Sequence, residues 1–117
     1  MTYCFFSAQY LPSFGGVERY TFNLARELIA RGEKSIVVTS KKPRLSSHEI
    51  DSYGIEVFRV PSQLLMGGRF PVANGGPALN HLLDDIIARC DRAVIQTRFY
   101  PLSYFAAARC HKAKIPF

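Results

Sequence analysis

The chain has 117 residues, of which 48% are apolar and 21% charged, and its net charge is +6. That length suits one domain, and the apolar share excludes a disordered chain, which lacks the surface to bury. No run approaches the ~20 apolar residues of a membrane span, and the N-terminus carries no signal-peptide pattern, so the expected location is cytoplasmic.

The first apolar run, residues 3–8 (Tyr-Cys-Phe-Phe-Ser-Ala), reads as a strand buried on both faces. A Pro- and Gly-rich loop over residues 9–16 follows. From Val17 the spacing predicts an amphipathic helix with Val17, Tyr20, Thr21, Leu24 and Leu28 inward, and with Glu18, Arg19, Asn23, Arg26 and Glu27 outward. It is expected to stop at Arg31-Gly32, where glycine suits a left-handed cap. Residues 35–40 (Ser-Ile-Val-Val-Thr-Ser) form a second, β-branched strand. Residues 41–52 read as a polar connection and residues 54–61 as a third strand carrying Ile55, Val57, Phe58 and Val60.

Residues 62–76 read as a glycine-rich loop with apolar side chains. Pro77 suits the first turn of a second helix, with Leu79, Leu82, Leu83, Ile86 and Ile87 as its buried stripe. A fourth strand is expected over residues 93–97. A last helix follows over residues 102–111, with Leu102, Phe105, Ala106 and Cys110 inward. Residues 115–117 (Ile-Pro-Phe) read as the opening of a fifth strand. The expected class is therefore α/β: a Rossmann-like parallel sheet with helices on both faces, truncated at the start of the fifth strand. The unpaired sheet edge leads to the expectation of self-association.

The stretch Pro12-Ser13-Phe14-Gly15-Gly16-Val17-Glu18-Arg19 lies between the first strand and the first helix. Paired glycines permit unusual backbone angles and close approaches. The helix N-terminus behind them offers unpaired N–H groups and a positive dipole end. In open parallel sheets ligands bind beyond the carboxyl ends of the strands, so this loop is expected to face an anion. The dinucleotide and phosphate-loop fingerprints are absent. Thr39-Ser40-Lys41 stands where a ribose-binding acid would close the second strand, so nicotinamide and ATP are not expected.

From Tyr3 to Ser40 the sequence resembles the opening of family four of the retaining glycosyltransferases, enzymes with two facing Rossmann-like domains (the GT-B fold). The resemblance lies in the loop Phe-Gly-Gly-Val-Glu, the helix Tyr-Thr-Phe-Asn-Leu-Ala-Arg-Glu-Leu-Ile-Ala-Arg-Gly and the strand Ile-Val-Val-Thr-Ser. The run Ala93 to Leu102 resembles the family's fourth strand and its outgoing loop. The resemblance implies that residues 1–117 are an N-terminal, acceptor-side domain, the donor-binding domain being absent.

The implied activity of the full-length protein is that of a hexosyltransferase. It would move a sugar from a nucleotide diphosphate sugar to a glycan or lipid acceptor of the cell envelope, with retention and with neither metal nor cofactor. By the same resemblance Gly15 and Gly16 face the donor diphosphate, while Glu18, Arg98 and Tyr100 line the acceptor side. The family's histidine follows the fifth strand, beyond Phe117, so no catalytic residue is expected here and the fragment alone is expected to be inactive. Gln96 and Arg98 stand where many relatives place histidines. The rival reading is a stand-alone module that binds an anion or sugar, or docks a partner, without catalysis.

The remaining constellations point to less. His48, His81 and His111 are not placed to replace the missing histidine, and Asp84-Asp85 project about 100° apart on a helix. Cys4, Cys90 and Cys110 read as reduced, buried thiols, with Cys90 and His111 lacking an orienting partner. No metal-ligand spacing is present. The positive charge favours anionic partners, but no recognition motif accompanies it and nucleic acid is not expected. Leu64, Leu65, Met66, Arg69 and Phe70 combine apolar groups with a cation between glycine pairs. They are expected to touch an anionic membrane at its inner face, or to close over a lipid acceptor.

Overall fold

Four apolar runs become the parallel strands of one sheet, because each carries apolar residues on both sides of its pleat. The computed structural model describes residues 1–11, 15–65, 70–96 and 100–117. The elements are β1 (Thr2–Phe6), α1 (Gly16–Ala30), β2 (Lys34–Ser40), β3 (His48–Ile50), β4 (Glu56–Val60), β5 (Ser62–Leu65), β6 (Phe70–Ala73), α2 (Pro77–Ala88), β7 (Arg92–Ile95) and α3 (Pro101–Ala113). The main sheet runs β3-β4-β2-β1-β7. β1 pairs in parallel with both β2 and β7, and β2 pairs in parallel with β4. β3 alone runs antiparallel, on the β4 edge.

The alternation along each strand sorts the core into two clusters. Cys4, Phe6, Ile36, Val38, Val60 and Ala93 face α2 and α3, whose Leu79, Leu83, Ile86, Ile87, Leu102, Ala106 and Cys110 complete that layer. Phe5, Val37 and Val57 face the other way and pack with Ala25, Leu24 and Leu28 of α1. Helices thus cover both faces of the sheet. The parallel strands, numbered along the chain, lie in the order third, second, first, fourth, so the order reverses between β1 and β7. That reversal is the topological switch point of a doubly wound sheet.

Four expectations need correction. Of the residues expected inward on α1, Thr21 is fully buried and Leu24 and Leu28 pack on the core, but Val17 and Tyr20 are exposed, Tyr20 by 59%, and the fully buried Ala25 was not among those expected. A small residue is what lets the helix axis approach the sheet, and the Ser35 hydroxyl donates to the Ala25 carbonyl at 2.9 Å across that contact. The polar connection after β2 contains β3, held by its ladder to β4. The loop expected over residues 62–76 contains the hairpin β5–β6, anchored at its base by the Asn74 N–H donating to the Pro61 carbonyl at 2.9 Å and by the buried Ala73. Residues 115–117 are not a strand, yet they lie along β7: the Ala93 N–H donates to the Pro116 carbonyl at 2.9 Å and Ile115 packs on the core.

The two readings of helix packing separate experimentally. Leu83→Ala should cost ~2–5 kcal/mol of unfolding free energy, and Tyr20→Ala no more than ~0.5 kcal/mol, in urea denaturation followed by circular dichroism. Comparable losses at both positions would restore the stripe expected from hydropathy.

Candidate functional site

All four parallel strands release their chains at one edge of the sheet, and the pairing there stays intact to the last residue. The Ser7 N–H donates to the Val38 carbonyl and the Gln96 N–H to the Phe6 carbonyl, both at 2.9 Å, so the exits of β2, β1 and β7 are level. The Ser7 hydroxyl donates to the Gln9 carbonyl at 2.6 Å and turns the chain away from β1. Across the rim, Lys42 Nζ donates to Gln9 Oε1 at 2.7 Å, and the Ser103 hydroxyl of α3 donates to the Gln96 carbonyl at 2.9 Å.

Two buried polar atoms at this edge have no partner: Ser40 Oγ, ending β2, and Gln96 Nε2, following β7. They stand on the two strands that flank β1. A buried unpaired donor or acceptor costs ~1–3 kcal/mol, a cost that a ligand with polar groups can remove. Sequence reading noted Ser40 only as part of the stretch that stands where a ribose-binding acid would close β2, and Gln96 only as standing where relatives carry histidine; burial, which decides both, is not written in a sequence.

The N-terminus of α1 opens on the same rim. Gly15 is its N-cap, with an extended φ of −166° and no side-chain cap, and Gly16 is its first residue. The Glu18 side chain folds back over Gly15, so that a β-carbon there would collide with the carboxylate. This is the third helical position reaching back toward the cap, the geometry of a capping box without its hydroxyl partner. Burial lowers the proton affinity of Lys42, and the negative charge of Glu18 partly restores it. Glu18 at this helix end thus acts electrostatically on Lys42, and Gly16 is exposed.

Of the other expected residues, Tyr100 is the N-cap of α3, half-buried, and packs on the α2–α3 core near the switch point. Arg98, Met66 and Arg69 lie outside the described residues. Leu64 and Leu65 belong to β5 and Phe70 to β6, with Leu65 opposite Phe70 and Leu64 half-buried. The hairpin follows the carboxyl end of β4, on the ligand side of the sheet. The structure thus gathers Gly15, Gly16, Glu18 and Tyr100 at one edge.

The remaining polar clusters are structural. His48 Nε2 meets Glu56 Oε2 at 2.7 Å and Arg109 holds Asp84 at 2.6 and 2.7 Å, while His81 lies 3.6 Å from Asp85. Burial pushes the Cys110 thiol up to about 11, and hydrogen bonding to Cys90 together with burial pushes Cys4 well above the usual thiol range, so neither is a thiolate at neutral pH. Among the described residues no three His, Cys, Asp or Glu side chains are grouped to hold a metal ion, and no helix is long and apolar enough to cross a membrane. A cleft of about 510 Å³ opens at the opposite edge, among Thr2, Lys34 and Glu56, where β1, β2 and β4 begin. Position relative to the strand ends, not size, selects the site.

A family model described as Glycosyltransferase Family 4 matches residues 14–117. No curated protein and no solved structure matches the chain.

Glu18→Gln removes the charge that the α1 N-terminus and Lys42 both attract. It should destabilise the fold by ~0.3–1 kcal/mol at low ionic strength, with the loss shrinking at 1 M salt as screening shortens to ~3 Å. Thermal melts at two salt concentrations measure this, and a salt-independent loss would mean that Glu18 acts through packing.

Proposed function

This chain belongs to glycosyltransferase family 4, and we propose that it is the acceptor-side domain of a nucleotide-sugar-dependent, retaining transferase of the hexosyl type. The observation that carries the reading is the glycine pair at the switch point. Neither glycine is required by the backbone: Gly15 is extended, and the positive-φ glycines among the described residues are Gly32, Gly54 and Gly76. Among the described residues outside its own helix and chain neighbours, no atom lies within 4 Å of where a β-carbon on Gly16 would stand. The described residues give no reason for a bare backbone at Gly16, whereas a ligand seated on the helix N-terminus would; at Gly15 the Glu18 carboxylate already takes the space of a β-carbon.

In this reading the donor diphosphate approaches Gly15 and Gly16, drawn by the free N–H groups of the first turn and by Lys42. No metal is needed where fixed dipoles and cations meet the charge. The acceptor, a cell-envelope glycan or glycolipid, lies along the rim between Glu18 and Tyr100, with Arg98 on the outgoing loop of β7. The segment of the sequence that carries Leu64, Leu65, Met66, Arg69 and Phe70 touches an anionic membrane at its cytoplasmic face, or covers a lipid acceptor. The catalytic histidine and the groups that stabilise the departing diphosphate belong to other parts of the whole protein, so residues 1–117 alone transfer no sugar.

Gly16→Ala in the native gene product tests this. Transfer from the preferred nucleotide diphosphate sugar should fall at least ~10-fold in kcat/KM, equivalent to ~1.4 kcal/mol. The melting temperature should hold or rise, because alanine is the better helix former by up to ~1 kcal/mol. Unchanged transfer would remove the diphosphate from this loop. A native product that binds sugars or anions yet transfers nothing would leave the domain a binding module of the same ancestry.

A further inference from the structure

Three cysteines far apart in the chain meet in one core layer: Cys4 on β1, Cys90 just past α2, and Cys110 on α3. All three are free thiols. Cys4 and Cys110 are fully buried, and Cys90 is 5% exposed. The rim at the carboxyl edge uses none of them.

The ladder between β1 and β7 brings two of these thiols together. Arg92 of β7 pairs with Tyr3, the neighbour of Cys4, and the Asp91 N–H donates to the Thr2 carbonyl at 2.9 Å. Cys90 therefore stands where β7 joins the start of β1. Its Sγ lies 2.8 Å from the Arg92 carbonyl, and the Cys4 thiol donates a hydrogen bond to that same sulfur. Cys110 packs in the same layer, raised first by burial and then by the charge of Cys90 nearby.

The two touching sulfurs differ in character. The bond from Cys4 favours the thiolate of Cys90 and lowers its proton affinity, while the same bond keeps the proton on Cys4. The thiolate is the form that attacks an oxidant. Cys90 is also the one nearest water, since Arg89, Asp91 and Arg92 around it are all exposed. It sits in a turn at a helix end, where local opening admits a molecule little larger than water. A thiolate with a second thiol against it is the arrangement in which oxidation ends in a disulfide rather than in a sulfinic acid.

We propose that Cys4 and Cys90 are a site of reversible oxidative modification, joined as a disulfide by a peroxide. The Cys90 thiolate attacks one peroxide oxygen; the O–O bond breaks, leaving a sulfenic acid on Cys90 and hydroxide, which takes a proton from water. The Cys4 sulfur then attacks the sulfenic sulfur. The S–S bond forms, the S–O bond breaks, and the Cys4 proton leaves with the hydroxyl group as water. Two thiols are oxidised and one peroxide is reduced to two waters. A dithiol reverses the step by exchange. The bond ties the central strand to the turn between α2 and β7 and closes most of the chain into one loop. It is independent of what the rim binds.

The test treats the reduced chain, under native conditions, with hydrogen peroxide, and maps the thiols by alkylation and peptide mass spectrometry. The expected product is an intramolecular Cys4–Cys90 link, lighter by two hydrogen atoms, with Cys110 still open to alkylation after unfolding. Dithiothreitol should restore both thiols. Cys110→Ser should leave the yield unchanged, and Cys90→Ser should leave Cys4 reduced under the same treatment. A link that involves Cys110, a link between chains, Cys90 carried on to sulfinic acid beside a free Cys4, or no reaction of the folded chain would each overturn the proposal.

Discussion

Strand β1 is hydrogen-bonded along both edges and buried on both faces, and the other elements take their places from it. Cys4, Phe5 and Phe6 are fully buried, with Cys4 and Phe6 in one core layer and Phe5 in the other. Its register to β2 and β7 brings three chain exits level, and its outgoing segment leads directly to the N-terminus of α1. Parallel pairing has a directional consequence that antiparallel pairing lacks: all the carboxyl ends gather at one edge. The functional rim is therefore fixed by the same hydrogen bonds that fix the fold, before any rim side chain is chosen.

What the rim does depends on a local electrostatic balance. The first turn of a helix leaves its N–H groups without intrahelical partners and carries about half a positive charge. In this structure Glu18 partly occupies that position and Lys42, partly desolvated, stands beside it. An incoming diphosphate would compete with Glu18 for the helix end and gain Lys42 in exchange. In the proposed reading Gly16, exposed at the helix end, is the point of approach. The buried atoms Ser40 Oγ and Gln96 Nε2 lack partners among the described residues on either side of β1, at a cost the fold bears at the edge where ligands of such sheets bind.

Much of the fold was legible because the strands and α2 carry their burial in large apolar residues. Leu79, Leu83, Ile86 and Ile87 repeat at helical spacing and are all buried. Part of the inward line of α1 (Val17, Tyr20 and the omission of Ala25) was misread for the converse reason, although Thr21, Leu24 and Leu28 do face the core. Ala25 fills the position nearest the sheet because it is small, while Tyr20 is large, apolar in part and exposed. β3 was invisible because His48, Glu49 and Ile50 are all exposed, and pairing rests on backbone bonds and on Glu49 meeting Arg59. The hairpin β5–β6 was hidden by the glycine pairs around it. At the rim the glycine loop and Glu18 were legible from position along the chain. The orphaned atoms of Ser40 and Gln96 were not, since only the packed chain decides which polar groups lose water.

The account stands or falls on whether anions choose the carboxyl edge of the sheet. The direct measurement is an amide-resolved titration of the chain with inorganic pyrophosphate at low salt. The account predicts saturable shifts at Gly15, Gly16 and Val17, with smaller ones at Ser7 and Lys42. Shifts confined to the opposite edge, around Thr2, Lys34 and Arg89, or no saturable shift at all, would contradict it.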